Sequence, residues 1–189
     1  MSRILVAYAS SFGQTRKIAG TVAAELRSRG HEVELADALL AQPPPVEDYD
    51  AVVFGSRIHM GAHARPLLAY ILDNRRELGA TPSYLFVVSM AAAGAQNADP
   101  QGYIARLVEI THWQPRAAIA IAGGLPYRSY GRVLRLVMKL ISRRAGHPTD
   151  TRRDHELTDW AQVRRFAADI ASDLAPKPIA QPPRPVARA

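Results

Sequence analysis

The sequence predicts an α/β protein: a doubly wound, five-stranded parallel sheet in the order 2-1-3-4-5, with helices on both faces and a basic helical insertion after strand 5. Three observations predict it. Short apolar runs of strand length alternate with amphipathic segments of helical period, the pattern of repeated βαβ units. Most runs are apolar at nearly every position, as in strands covered on both faces. One run, His31–Leu35, alternates polar with apolar, which suits a strand at the edge of the sheet.

In chain order, Ile4–Tyr8 is the first buried strand. A helix over Thr15–Arg29 carries Ile18, Val22 and Leu26 at a four-residue step, and Gly30 stops it. After the edge strand, a Pro43-Pro44-Pro45 connection leads to the buried strand Ala51–Gly55. Pro66 takes a favoured first position in a helix over Pro66–Arg76. Tyr84–Ser89 is the next buried strand, Pro100–Thr111 a helix and Ala117–Ala122 the fifth strand. Thr158 is expected to cap a last helix that runs to about Leu174. One domain over residues 1–175 is therefore expected, followed by a disordered tail, 176–189, with five prolines.

Bulk properties exclude several classes. A chain of 189 residues with 48% apolar side chains can bury one real core. No uncharged apolar run is long enough for a transmembrane helix, and no signal peptide is expected. The chain has no cysteine, which removes disulfides, thiolate metal sites and cysteine nucleophiles; no metal site is expected. The composition fits a cytoplasmic protein.

The segment from Ile4 to Thr15 is the most informative. A strand stops abruptly, a hydroxyl-rich loop (Ser10, Ser11, Phe12, Gly13, Gln14) follows, and a helix begins at Thr15. The amides of a helix's first turn have no acceptor within the helix, and its dipole favours an anion there. Ser10, Ser11 and Thr15 add hydroxyl donors, and Gly13 permits close approach. The loop lacks the lysine of a nucleoside-triphosphate P-loop and the glycine spacing of a dinucleotide fold. What remains suits one terminal phosphomonoester. It resembles the loop with which flavodoxins hold the phosphate of FMN. In the expected strand order, ligands bind beyond the carboxyl ends of strands 1 and 3. Two more loops meet there: Ser56-Arg57-Ile58-His59-Met60-Gly61, and Ser89-Met90-Ala91-Ala92-Ala93-Gly94 at the end of strand 4. Small residues such as Ala91, Ala92 and Gly94 would admit backbone donors to a flavin edge. Arg57 or His59 would place positive charge near the ring and raise its potential, and Met60 or Tyr103 is the candidate to cover a face.

Between Gly123 and Leu157 about thirty-five residues intervene where a plain αβ unit needs a handful. Pro126 to Arg153 holds seven arginines and one lysine against a single acid, which equals the net charge of the whole chain, +7. Arg132–Arg144 is predicted helical, and Arg128, Arg132, Arg135, Lys139 and Arg143 form a basic stripe beside apolar residues. Such a helix suits an anionic membrane surface or a partner, or packs as a core helix with a solvated face.

The stretches Thr111-His112-Trp113-Gln114-Pro115-Arg116, Thr149-Asp150-Thr151-Arg152 and Thr158-Asp159-Trp160, with Gly13-Gln14-Thr15-Arg16, resemble the menaquinone-dependent protoporphyrinogen IX dehydrogenases. The likeness runs from about Ile4 to Ile170. It implies FMN as cofactor, protoporphyrinogen IX as substrate, menaquinone or ubiquinone as acceptor, and a peripheral place on the inner face of the cell membrane. Under it, Arg128, Arg132, Arg135 and Lys139 are candidates to grip substrate propionates or lipid. The Ala-rich loop after strand 4 and the Pro/Arg tail depart from that family. The site offers no evident side-chain base, and none is assigned.

Two alternatives stay open on sequence: a flavodoxin-type electron carrier, and another FMN-dependent quinone oxidoreductase. The basic charge argues against a carrier, whose face is ordinarily acidic. No second-nucleotide site is visible for a nicotinamide-dependent reductase. Little aromatic interleaving supports nucleic-acid binding, which is not expected. The oligomeric state, a homo-oligomer included, is left open.

Overall fold

The structure, a computed structural model, describes residues 1–94, 99–125, 127–129, 131–144 and 148–175, with the side chains of residues 132–134, 141 and 144 left aside. The expected tail, 176–189, lies outside the described residues.

The strands β1 (Arg3–Ala9), β2 (Glu32–Asp37), β3 (Ala51–His59), β5 (Ser83–Ser89) and β6 (Ala117–Ala122) form a parallel sheet in the order β2-β1-β3-β5-β6. A two-residue strand, β4 (Ala62–His63), pairs antiparallel with the end of β3. This is the predicted order, with the alternating strand at the edge. Alternation of side chains splits the core in two. Ile4, Val6 and Tyr8 face the helices α1 (Gln14–Ser28) and α6 (Trp160–Leu174). Leu5, Ala7 and Ala9 face α2 (Arg65–Asp73), α3 (Arg75–Leu78) and α4 (Pro100–Thr111). Each fully buried Leu, Ile or Phe contributes about 1.5–3 kcal/mol to this core. Gly55 is required by packing: a Cβ there would lie 2.3 Å from the Phe86 ring.

Three expectations are corrected. The strand expected to end at Gly55 runs on to His59, because β4 returns beside it through a two-residue turn, Met60-Gly61, with both φ positive. Ser56 to His59 are thus strand, not loop. The helix expected over Pro66–Arg76 breaks at Asn74 into α2 and α3. Asp159, not Thr158, caps α6: its Oδ1 accepts the amides of Gln162 (3.1 Å) and Ala161 (2.8 Å), which hold its carboxyl below the usual range. Thr158 instead donates to the Ala122 carbonyl at 2.7 Å.

The insertion leaves the end of β6 as β7 (Gly124–Leu125) and a 3₁₀ turn, Tyr127–Ser129, passes into α5 (Arg132–Arg144), and returns as β8 (His155–Glu156) paired antiparallel with β7. Helix α5 has the bounds read from the sequence. Leu125 and Tyr127 are fully buried and pack with Met90, Met138 and Leu157 into a small third core. The Tyr127 hydroxyl donates to the Pro148 carbonyl at 3.0 Å and lies 2.9 Å from Ser142 Oγ.

Candidate functional site

A cavity of about 540 Å³ opens at the carboxyl ends of β1, β3 and β5. One end is the β1–α1 loop. Gly13 enters the helix with φ +88°, a conformation that favours glycine, and as N-cap residue it has no side chain with which to cap α1. Ser10 stands in: its Oγ accepts the amides of Gly13 (3.1 Å) and Arg16 (3.2 Å), leaving its hydroxyl proton to donate elsewhere. Ser10, Ser11, Phe12, Gln14 and Thr15 all line the cavity; Thr15 is buried and Ser11 exposed. The floor at this end is therefore hydroxyls and main-chain amides at a helix N-terminus, a donor set for an oxyanion.

The β3–β4 hairpin forms one wall through Arg57, Ile58, His59, Met60 and Gly61. Arg57 Nε is buried and has no hydrogen-bond partner, and burial lowers the guanidinium below its ordinary value. A sealed, unpaired donor of this kind costs free energy unless a ligand accepts from it. Phe12 reaches across to His59, with ring centroids 5.8 Å apart, and bridges the loop and the hairpin. Met60, at φ +50°, is 93% exposed at the hairpin tip.

The opposite wall is Val88, Ser89, Met90 and Ala91. Residues Ala91–Ala93 form a 3₁₀ turn closed by Gly94 at φ +85°, with the Ala92 amide donating to Ser89 Oγ at 3.2 Å.

Four expected cofactor residues lie outside the lining: Gly13, Ser56, Ala92 and Gly94. The first shapes the loop, and Ala92 and Gly94 shape the turn. Ser56 is fully buried in β3 because its side chain points to the α4 side, where its hydroxyl donates to His63 Nδ1 at 2.7 Å. His63 Nε2–H donates to the Tyr103 carbonyl at 2.8 Å, which sets this tautomer. Desolvation lowers the His63 pKa; the bond to Tyr103 opposes that and Arg106 adds to it. Tyr103 itself lines the cavity, so this buried pair positions a wall residue.

That the insertion closes the cavity was not legible in the sequence. Gly124, Leu125, Met138, Asp154, His155 and Glu156 line it, as does Lys17 of α1. One retrospective signal exists: every methionine beyond Met1, namely Met60, Met90 and Met138, faces this space. Unbranched, polarizable thioethers suit an adaptable apolar surface.

The basic candidates of the insertion lie elsewhere. Arg128 and Lys139 are exposed and outside the lining. Arg135 is half-buried and donates Nε–H to the Tyr127 carbonyl at 2.9 Å, so it helps fold the insertion and is not a free basic head. Arg132 falls among the side chains left aside. On α5, Leu136, Val137 and Leu140 are 69%, 47% and 54% exposed, next to exposed Lys139 and Arg143.

The model of the flavodoxin domain family matches residues 5–152. The chain is 33% identical over 178 residues to the Escherichia coli (strain K12) protein named protoporphyrinogen IX dehydrogenase (quinone), covering 93% of this chain and 98% of that one. It is 30% identical over 188 residues to the Leishmania major protein of the same name, covering 98% and 80%. Among solved structures, oxidised flavodoxin 2 from Bacillus cereus superposes with a TM-score of 0.55 at 19% identity, over 90% of this chain and 99% of that one.

Proposed function

The chain belongs to the quinone-linked protoporphyrinogen IX dehydrogenases, a family built on the flavodoxin domain, and we propose that it oxidises protoporphyrinogen IX to protoporphyrin IX at FMN held in the 540 Å³ cavity and passes the electrons to a quinone. The observation that carries this reading is the cavity's composition: an oxyanion cradle at one end, an unsatisfied Arg57 Nε within, and apolar walls supplied by both the flavodoxin domain and the insertion.

The residues fit FMN. Ser10, Ser11, Gln14 and Thr15 would hold the phosphate with the amides of the first turn, Gly13 giving the backbone its approach. Arg57 Nε would donate to the polar edge of the ring, satisfying an otherwise orphaned group. Ile58, His59, Gly61, Ser89, Met90 and Ala91 would line the ring slot. Bound FMN supplies hydride acceptance and reoxidation, the electron chemistry that no side chain provides. Oxidation of the porphyrinogen removes six electrons and six protons, so three quinones are reduced for each porphyrin formed. Phe12, Met60, Met90 and Met138 would offer the large macrocycle an apolar seat.

The exposed Leu136, Val137 and Leu140 beside Lys139 and Arg143 support docking of α5 on an anionic membrane, where quinone resides. No helix among the described residues is long and apolar enough to cross a membrane; the attachment proposed, through the exposed face of α5, is peripheral.

Two half-reactions test the function. Anaerobic protoporphyrinogen should bleach the absorbance of bound FMN, and a menaquinone analogue should restore it. Bleaching without restoration would remove the quinone from the scheme. No bleaching by porphyrinogen, with a flavin that dithionite reduces, would leave an FMN protein of another substrate.

A further inference from the structure

Beside the phosphate cradle the insertion delivers a carboxylate. Glu156 Oε1 accepts from Gln14 Nε2 at 2.7 Å and lies 3.9 Å from Lys17 Nζ. Gln14 Nε2 also donates to Thr158 Oγ1 at 2.8 Å, and the Leu157 amide donates to the Gly123 carbonyl at 3.1 Å, so the end of β8 is pinned against the first turn of α1. Gln14 and Lys17 stand three residues apart on one helix face, and both line the cavity with Glu156. The rest of the cradle is hydroxyls and amides. These recognise an oxyanion by hydrogen bonds and add no formal charge.

We propose that Lys17 is a further phosphate-binding residue, shared between Glu156 and the phosphate of FMN, and that this pair sets the protein's preference for the phosphorylated flavin over riboflavin. The inference rests on the flavin reading above. The contact to Glu156 is long, and the two side chains are 63% and 40% exposed, so it restrains the ammonium only weakly. A phosphate at the helix N-terminus carries nearly two negative charges and hydrogen-bonds through more oxygens than one carboxylate, so it draws Lys17 away. Glu156 therefore holds the ammonium beside the cradle before the cofactor arrives, and competes with the cofactor for it. Riboflavin, which lacks the phosphate, cannot engage Lys17.

The test is titration of FMN-free protein with FMN and with riboflavin, followed by quenching of flavin fluorescence at low and high salt. Lys17→Gln should weaken FMN binding about tenfold and flatten its salt dependence while leaving riboflavin affinity unchanged. Glu156→Gln keeps an acceptor oxygen for Gln14 but frees the ammonium, and should tighten FMN binding a few-fold, again without effect on riboflavin. Unaltered riboflavin binding also shows that each variant has kept its pocket. An unchanged FMN-to-riboflavin ratio in Lys17→Gln, or equal losses for both flavins, would overturn the proposal while leaving the flavin site standing. Failure of the parent protein to bind either flavin would overturn the flavin reading and this inference with it.

Discussion

Arg57 and His63 show how much one residue's surroundings decide. Both sit on the β3–β4 hairpin and both are basic, Arg57 half-buried with its Nε sealed and His63 buried. Arg57 has its Nε unpaired, and in the proposed flavin site it would stabilise negative charge that grows on the reduced ring. Arg57→Gln should lower the two-electron potential of bound FMN by about 30 mV, equivalent to about 1.4 kcal/mol, in an anaerobic redox titration. An unchanged potential would place the guanidinium away from the ring. His63 is the opposite case, a neutral ring that accepts from Ser56 and donates to Tyr103. Its pKa in the folded protein lies below the ordinary 6.5, so as pH falls the unfolded chain takes the proton first. The stability it contributes is complete above about pH 6.5 and is lost as pH drops through the folded-state pKa. Chemical denaturation from pH 7.5 to pH 5 should show this decline, and His63→Gln should remove part of it while costing about 1–3 kcal/mol at neutral pH. A parallel decline in the variant would assign the acid sensitivity to other groups, His31 among them, whose pKa burial also lowers.

At the scale of elements, the apolar runs and their Gly and Pro punctuation made the strands and helices legible. The core strands are apolar whatever packs on them, and α4, β6 and α5 have the bounds read from the sequence. What escaped the reading depended on partners distant in sequence. Arg57-Ile58-His59 is too polar to read as a continuing strand until β4 folds back on it. Thr158 and Asp159 are both capping residues by type, and only the Ala122 carbonyl, which engages the threonine, leaves the aspartate to cap. Asp154, His155 and Glu156 carry no local mark of a cavity wall, because β8 reaches the cavity by pairing with β7 some thirty residues away. The amphipathic α5 was legible, but the fate of its arginines was not: Arg135 turned inward to a backbone carbonyl. Its outward apolar residues carry the membrane proposal. Replacing Leu136, Val137 and Leu140 with Ser should abolish flotation with vesicles containing anionic lipid, while porphyrinogen oxidation with a water-soluble quinone continues. Flotation equal to the parent's would exclude α5 as the docking face.

Across the whole molecule, the parallel sheet supplies a mouth at its carboxyl ends, and the insertion changes what that mouth can do. The parallel sheet and its β1–α1 loop, β3–β4 hairpin and β5 end supply one part of the cavity lining. Here β7, α5 and β8 add a further wall, with Leu125 and Met138 packed on Met90 in a core of their own. That wall adds apolar surface to the cavity, which under the proposed function would suit a macrocycle that must reach the flavin directly. The sequence made the fold, the phosphate loop and the insertion's charge readable; the joining of loop and insertion into one cavity is a property of the folded chain.

The most direct measurement follows porphyrin fluorescence from FMN-loaded protein given protoporphyrinogen without oxygen, with and without a menaquinone analogue, while quinol is counted in parallel. The account predicts catalytic growth of fluorescence only with quinone, at three quinols per porphyrin. Porphyrin formed at the uncatalysed rate, with flavin bound and reducible, would contradict it.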